Sequence, residues 1–197
     1  MNRPVVLESP PMGCRCLVCL DEPETWDERE QRTAKHVREI GWSVFGIIEE
    51  DGDPGWAFTI GLRHNYDLPE LVMFGRDVPD MQNWLNRVVA RYAEGQPITA
   101  GEVIDGIVGV QPVMLTPVDP SWQLDFLGAA VDFYRGSQFD VLQLIWPDDN
   151  GTWPWEEGAH GSSRQRQPKA WVPLHEHTGG VWQRIAATSG PCTCGQC

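Results

Sequence analysis

Two cysteine motifs with the same spacing lie near opposite ends of the chain. They read CRCLVC and CTCGQC, so both follow the pattern C-x-C-x-x-C, and no other cysteine lies between them. Thiolates in such short loops can reach one metal ion at about 2.3 Å from each sulfur. The six candidate metal ligands are Cys14, Cys16, Cys19, Cys192, Cys194 and Cys197.

Each cysteine motif supplies three thiolates, whereas a tetrahedral metal site needs four ligands. Because the ends of a domain often lie close together, we expect the two motifs to share metal. Zinc (Zn²⁺) fits best, and Cu(I) and an iron–sulfur cluster are the alternatives that soft thiolates allow. Two other hypotheses stay open, namely poorly ordered tails with incidental thiols and a reversible redox pair.

A second polar cluster directly follows an apolar segment at 56–62. His64 could act there as a general base, with Asp67 or Glu70 orienting it and Tyr66 donating a proton. Ordinary turn chemistry explains the same residues without catalysis. A catalytic site formed by His64, Tyr66 and Glu70 is therefore the alternative function that the sequence offers.

A third cluster lies in the segment PDDNGTWPWEEG at 147–158. The ligand spacing of a calcium loop is absent, and a turn at its Asn-Gly pair explains most of the residues. Trp153 and Trp155 could instead line a ligand pocket, together with Arg135, because tryptophan is enriched where binding energy concentrates. Exposed tryptophans on an acidic protein also allow a third function class, a module that binds a protein partner.

Histidines near the C-terminus form the weakest candidate site. His175 and His177 alternate as on one face of a strand, and His160 could join them as a third ligand. No further ligand is evident from the spacing, so the sequence alone gives this group little support as a metal site.

The elements that must position these residues indicate an α+β fold, with a central, mostly antiparallel or mixed sheet and about three packed helices. Apolar periodicity predicts the order α-β-β-β-α-β-β-α-β. Thr25 and Glu28 are predicted to form a capping box that begins the first helix. Pro112 is expected to place its strand at an edge of the sheet. The predicted helices are 25–40, one that Asp77 begins and Gly95 ends, and one from 119 to 136; the predicted strands are 42–50, 56–62, 70–75, 103–110, 112–118 and 139–146.

Length and composition favour one domain in a reducing compartment. The chain has 197 residues, 41% of them hydrophobic, which suffices for a single core. We expect this domain over residues 1–197, with a core at about 14–172, an irregular polar segment at 156–170 and a cysteine-containing tail at 186–197. The net charge of -13 without a basic run argues against nucleic acid as a partner. No apolar run suits a membrane span or a signal peptide, so a cytoplasmic location is expected.

Four separated segments carry a family resemblance. They are PGWAFTIGLRHNYDLPELVMFG at 54–75, PVDPSW at 117–122, FYRG at 133–136 and VLQLIWPDDNGTWPWE at 141–156. In this order the segments resemble the bacterial family catalogued as domain of unknown function 4262, and the resemblance extends from about Cys14 to Trp171. It implies one compact domain in a bacterial cytosolic protein, and it transfers no catalytic residue or cofactor. The leading hypothesis is therefore a metal-binding protein whose biochemical role is not established.

Overall fold

The protein has a six-stranded mixed sheet. The computed structural model of the chain describes residues 6–177 and 180–188. The strands are β1 (Ser43–Ile47), β2 (Trp56–Ile60), β3 (Glu70–Phe74), β4 (Val103–Val108), β5 (Gln111–Pro117) and β6 (Val141–Ile145). Their order across the sheet is β1-β2-β3-β6-β5-β4.

Helices accompany the sheet along the described parts of the chain. The longest one begins after Asp77, as its apolar stripe predicts. The α-helices are α1 (Leu17–Leu20), α2 (Glu28–Glu39), α3 (Leu62–Tyr66), α4 (Val78–Ala93), α5 (Gln123–Phe126), α6 (Gly128–Tyr134), α7 (Gly161–Arg166) and α8 (Val181–Thr188). Short 3₁₀ turns occur at Pro23–Thr25, Pro120–Trp122 and Leu174–Glu176.

Hairpins and one crossover explain the directions of the strands. β1 pairs with β2, β2 with β3, β5 with β6 and β4 with β5, all antiparallel, whereas β3 and β6 pair in parallel. Helix α4 and the β4–β5 hairpin lie between β3 and β6 in the sequence, which supplies the long connection that parallel neighbours need. Every residue of β2, β3 and β6 is buried. The sheet is therefore covered on both faces, and the expected α+β fold with a mixed sheet is confirmed.

Two apolar clusters pack on the opposite faces of the sheet. One face packs against α4, through Met81, Leu85 and other apolar residues of that helix. The other face packs against α1, α2, α5, α6 and α8 and contains most of the buried aromatic rings. The alternation of side chains along a strand explains the division, since Phe58 faces one cluster and its neighbour Ala57 the other. The three predicted cysteine ligands of the N-terminal motif lie with the aromatic cluster.

The predicted start of the first helix is wrong by three residues. Thr25 lies in the preceding 3₁₀ turn, where its hydroxyl donates to the carbonyl of Glu22 at 2.8 Å. The capping box is formed by Asp27 and Glu30, each of which accepts a hydrogen bond from the backbone amide of the other. An aspartate cap satisfies the same free amides as a threonine cap, so two overlapping cap motifs cannot be separated by sequence pattern alone.

The helix predicted over 119–136 is divided into a 3₁₀ turn and two short α-helices. Leu127 leaves the helical region, with φ -125° and ψ 33°, and Gly128 begins the second helix. Glycine in a helix interior weakens it, which accounts for the break. The apolar residues predicted for this stripe are nevertheless buried on the sheet at Trp122, Phe126, Ala130 and Phe133.

The prediction that Pro112 marks an edge strand is wrong. β5 lies between β6 and β4, and the two edges of the sheet are β1 and β4. Pro112 precedes Met114, the first residue of β5 that pairs with β6. On its other side the register with β4 shifts between Ile104 and Val108. The missing amide of proline therefore costs no regular ladder hydrogen bond at this position.

The polar segment predicted as irregular contains a helix. Helix α7 occupies Gly161–Arg166, and the backbone amide of Ser162 donates to the ring of His160 at the start of the helix. Among the described residues, no helix combines the length and the apolar character that crossing a bilayer requires.

Candidate metal centre

The N-terminal cysteine motif is held by a tight turn and by burial. Cys16 occupies the N-cap position of α1, and its carbonyl accepts the backbone amides of Cys19 and Leu20, each at 3.0 Å. This geometry folds the C-x-x-C segment back so that the sulfurs of Cys16 and Cys19 lie 3.6 Å apart. Cys16 is fully buried, and Cys14 is partly buried against the same core. The motif is therefore anchored on the domain.

Helix α3 brings a histidine to the three cysteines. The helix follows β2 directly, after Gly61, whose φ of +110° lies in a region that favours glycine. A Cβ atom at Gly61 would lie 2.7 Å from a methyl group of Val37, so the backbone approach also requires glycine. The side-chain amide of Asn65 donates to the carbonyls of Val37 and Gly41 at 2.9 and 2.7 Å. These contacts fix α3 against the end of α2.

Four ligand atoms converge at this point. Nδ1 of His64 lies 3.9 Å from Sγ of Cys14, 3.3 Å from Sγ of Cys16 and 3.5 Å from Sγ of Cys19. All four atoms lie within 4.8 Å of one another. With Zn–S distances of about 2.3 Å and a Zn–N distance of about 2.0 Å, a regular tetrahedron has S–S edges of about 3.8 Å and S–N edges of about 3.5 Å. The cluster has the dimensions of a single-metal Cys₃His site.

The three thiols of the cluster differ in pKa. Hydrogen bonding with Cys16 is the main cause that lowers the pKa of Cys14 to about 4, and His64 and Cys19 add to it. Hydrogen bonding with Cys14, followed by burial, raises the pKa of Cys16 above its ordinary value, and burial raises that of Cys19. One thiolate thus forms readily, and a bound cation would stabilise the other two as thiolates.

A buried carboxylate supports the helix that carries His64. Oε1 of Glu70 accepts the backbone amides of Gly61 at 2.9 Å and Arg63 at 3.3 Å. Oε2 accepts the hydroxyl of Thr59 at 2.6 Å. The hydroxyl of Tyr134 also donates to Oε1. Glu70 therefore binds the backbone on either side of Leu62 and fixes the first turn of α3 from the beginning of β3.

Burial dominates the electrostatics of this supporting pair. It raises the pKa of Glu70, and the hydrogen bonds from Thr59, Tyr134 and the two amides oppose the rise only in part. Burial, and then the charge of Glu70, raise the pKa of Tyr134 well above its usual range. Tyr134 consequently stays a neutral hydrogen-bond donor at physiological pH, and it also accepts the amide of Gly61 at 3.1 Å.

The three residues predicted as catalytic face different surroundings. Nδ1 of His64 faces the three sulfurs, and the carboxylate of Glu70 faces the backbone of α3. Tyr66 packs edge-on against Trp42 and Tyr92 in the apolar cluster on the opposite face of the sheet. The catalytic role of His64, Tyr66 and Glu70 stays a prediction. In the contacts described above, the three side chains do not face a common point at which a substrate could react.

The predicted tryptophan pocket is only partly assembled. The rings of Trp153 and Trp155 stack at 5.5 Å with an interplanar angle of 2°, and Trp171 meets Trp155 edge-on at 6.0 Å. Arg135 instead donates to Glu30 of α2 at 2.8 Å. The role of Trp153, Trp155 and Arg135 in cofactor binding therefore stays a prediction.

The histidines towards the C-terminus form hydrogen bonds with neighbouring residues and do not converge on one point. Nδ1 of His160 lies 2.7 Å from the hydroxyl of Ser162, and Nε2 of His177 accepts the amide of Lys169 at 3.2 Å. Among the described residues, the Cys₃His cluster is the one group of three or more potential ligands that converges. Cys192, Cys194 and Cys197 lie outside the described residues, so their predicted share in the site stays a prediction.

His64 is the candidate metal ligand that the sequence pattern does not identify as such. Its position after a strand favours an acid/base role, and the matched spacing of the second cysteine motif favours a thiolate as the fourth ligand. One feature of the sequence points to a histidine ligand. Three cysteines in one short loop leave the fourth position of a tetrahedral site open, and histidine fills this position in many zinc sites. Only the packing of α3 beside the N-terminal segment shows which histidine is near enough.

Comparison with known proteins agrees with the resemblance in the sequence. The family described as "Domain of unknown function (DUF4262)" matches residues 36–160, which is more than half of the 197 residues. His64 lies inside this segment, and the three N-terminal cysteines precede it. Searches of curated proteins and of solved structures found no match for this chain. The chain belongs to the DUF4262 family.

Proposed function

We propose that this protein binds one zinc ion through Cys14, Cys16, Cys19 and His64, and that the ion has a structural role. The observation that carries the proposal is the set of distances among the four ligand atoms, which approach the edges of a zinc tetrahedron. Four protein ligands complete the coordination shell. A closed shell of this kind is typical of structural zinc, since catalytic zinc keeps a position for water or substrate.

The ligand set favours zinc over the two alternative cofactors. An iron–sulfur cluster places several iron and sulfide atoms among its ligands, and ligand atoms within 4.8 Å of one another leave room for a single ion. Cu(I) prefers soft thiolates, whereas an imidazole nitrogen beside three thiolates suits the borderline-soft zinc ion. The three cysteines are free thiols, so a reducing compartment such as the cytoplasm suits this site.

The proposed ion would connect segments that are distant in sequence. The N-terminal segment contacts the rest of the domain through few backbone hydrogen bonds, among them Leu7 to the carbonyl of Asn65 at 2.8 Å and Arg15 to the hydroxyl of Ser137 at 2.8 Å. Zinc would add a strong link between this segment and α3. Because the ion binds the folded chain preferentially, its binding free energy contributes to folding.

Metal analysis of the purified protein tests the proposal. The chain is purified under reducing conditions without chelator, and zinc, copper and iron are measured per chain. We expect about one equivalent of zinc, as a Cys₃His site would hold. Less than half an equivalent of every metal would contradict the proposal. A predominance of copper or iron would retain a metal site and overturn its assignment to zinc.

Two matched triple variants decide whether the C-terminal motif shares the metal. We expect replacement of the three N-terminal cysteines by serine to abolish zinc binding. The same replacement at the C-terminal motif should preserve it, because four described ligands already complete the shell. Loss of zinc in both variants would instead support the predicted sharing between the two motifs. The C-terminal set is Cys192→Ser, Cys194→Ser and Cys197→Ser.

A further inference from the structure

One large cavity of the described structure has none of the proposed metal ligands in its wall. It has a volume of about 930 Å³ and is formed mainly by residues within 162–177 and 180–184, with Gly52 and Pro54 on one side. Ligand pockets in proteins commonly measure about 300–1,000 Å³. Most of this wall follows the segment that matches the family, which ends at residue 160.

The charge of the cavity wall is opposite to that of the protein. The whole chain carries 28 acidic and 15 basic residues. The wall contains one acidic residue, Glu176, and four basic ones. The basic residues are Arg164, Arg166, Lys169 and Arg184. Concentration of positive charge in a concave region of an acidic protein favours an anionic ligand, because the walls focus the local field.

Two of these cations have no carboxylate partner among the described residues. Arg164 donates to the backbone carbonyls of Pro154 at 2.9 Å and Glu156 at 2.7 Å, which orients the guanidinium without neutralising its charge. No ion pair within the described parts of the chain involves the ammonium group of Lys169, which is exposed. The wall therefore keeps a net positive charge.

The other two arginines of the wall are held in ion pairs at its edge. Arg166 pairs with Glu49, and Arg184 pairs with Asp53. Arg166 also donates to the carbonyl of Gly75 at 2.8 Å. Such contacts hold the guanidinium groups in place. Less side-chain conformational entropy is then lost when a ligand binds.

Aromatic side chains complete the wall. Trp182 is only 2% exposed and packs on Phe74 at 5.0 Å, while His177 meets Trp122 edge-on at 5.3 Å. Nε1 of Trp182 and Nδ1 of His177 are buried and have no hydrogen-bond partner among the described groups. A buried polar atom of this kind calls for an explanation such as a ligand that completes its hydrogen bond.

We propose that this cavity binds a small organic anion, with a phosphate or carboxylate group near Lys169 and Arg164 and an apolar body against Val172 and Val181, beside Trp182. The cations supply charge-assisted hydrogen bonds to the anionic group. Val172 and Val181, which line the cavity and are partly exposed, supply contact area for the rest of the ligand. This function is independent of the proposed zinc site, since none of the four metal ligands lines the cavity.

Calorimetric titration of the full, metal-loaded protein tests the proposal. The probes are phenyl phosphate, benzoate and the neutral benzyl alcohol. We expect at least one of the two anions to bind with one-to-one stoichiometry, and benzyl alcohol to bind at least about tenfold more weakly. The stronger anion identifies the class of anionic group. Absence of saturable binding by both anions up to about 10 mM would overturn the proposal.

Substitution of one exposed cation locates the binding. Lys169→Gln should weaken anion binding about tenfold, and Arg184→Gln provides a second variant outside the core. Lys35→Gln removes the only other lysine, which lies on α2, and should change the affinity less than about twofold. The indole N–H resonance of Trp182, assigned with Trp182→Phe, should shift during the titration of the unaltered protein. Equal weakening by Lys169→Gln and Lys35→Gln would show nonspecific binding and contradict the site.

Discussion

Nδ1 of His64 lies 3.3 Å from Sγ of Cys16, although 48 positions separate the two residues in the sequence. Neither residue reaches this position through its own element alone. Cys16 is held by the turn that begins α1, whereas His64 is held by α3, which the carboxylate of Glu70 and the side chain of Asn65 fix. The contact between His64 and Cys16 therefore exists only when the N-terminal segment packs against α3.

Replacement of His64 should separate metal binding from helix packing. His64→Ala removes one of the four proposed ligands, so we expect zinc affinity to fall by about tenfold to a hundredfold. His64→Cys supplies another ligand atom and should restore most of the affinity. Zinc affinity is measured by competition with a chromogenic chelator. His160→Ala serves as the control, and an equal loss in this variant would count against His64 as a ligand.

Removal of the metal should loosen the N-terminal segment more than the sheet. Zinc would link residues 14–19 to α3, and closure of a loop of this size by a covalent link is worth roughly 2–4 kcal/mol. We expect chelation under reducing conditions to lower the unfolding free energy by a similar amount and to speed amide hydrogen exchange at Leu7 and Arg15. Exchange in β3 and β6 should change far less. Unchanged exchange throughout would indicate that the metal does not hold the segment.

The pH dependence of stability should report the burial of Glu70. Burial raises its pKa in the folded state above the ordinary value of 4.5. Between the unfolded pKa and this raised pKa, the folded state binds more protons, so the unfolding free energy falls as pH rises through that window. Glu70→Gln cannot ionise, and urea unfolding at a series of pH values should show a shallower fall. Identical slopes for both proteins would contradict a raised pKa.

The hydroxyl of Tyr134 should contribute to both stability and metal affinity. Tyr134→Phe removes the donor to Glu70 and the acceptor of the Gly61 amide, and leaving buried polar groups unpaired costs about 1–3 kcal/mol. Because Glu70 positions α3, zinc affinity should fall by a smaller factor than in His64→Ala. Chemical unfolding and chelator competition measure the two effects. Tyr92→Phe is the matched control, and an equal effect there would exclude a specific role for Tyr134.

The position of the α2 cap can be tested with two substitutions. Asp27→Ala removes the side chain that accepts the Glu30 amide at 2.7 Å, and loss of an N-cap typically costs about 1 kcal/mol. Thr25→Ala removes only an exposed hydrogen bond to the Glu22 carbonyl. Thermal unfolding should therefore show a larger decrease for Asp27→Ala. The reverse order would place the cap at the threonine.

Local pattern predicts most of the elements in this protein. The apolar stripe of α4, the β-branched and aromatic composition of the β1–β2 hairpin with its turn residues at 51–55, and the apolar run of β6 each depend on neighbours within a few residues. The failures also have local causes. Asp27 and Thr25 both begin a possible capping box, and Gly128 interrupts an apolar stripe that otherwise continues. Pattern alone places Pro112 at an edge, because it does not show where a register shift removes the need for a backbone amide.

The sequence by itself determined that three thiolates lie within one short loop, since the turn of C-x-C-x-x-C is a local property. It also determined the family, through four segments that are separated along the chain. Only the tertiary structure decided that His64 lies beside the three N-terminal cysteines, because that contact requires α3, α2 and the N-terminal segment to pack together. It likewise decided that Glu70 supports a helix through backbone amides and that Arg164, Arg166, Lys169 and Arg184 line one cavity. Such contacts depend on long-range packing. The types and spacing of residues do not show which distant residues will lie next to each other.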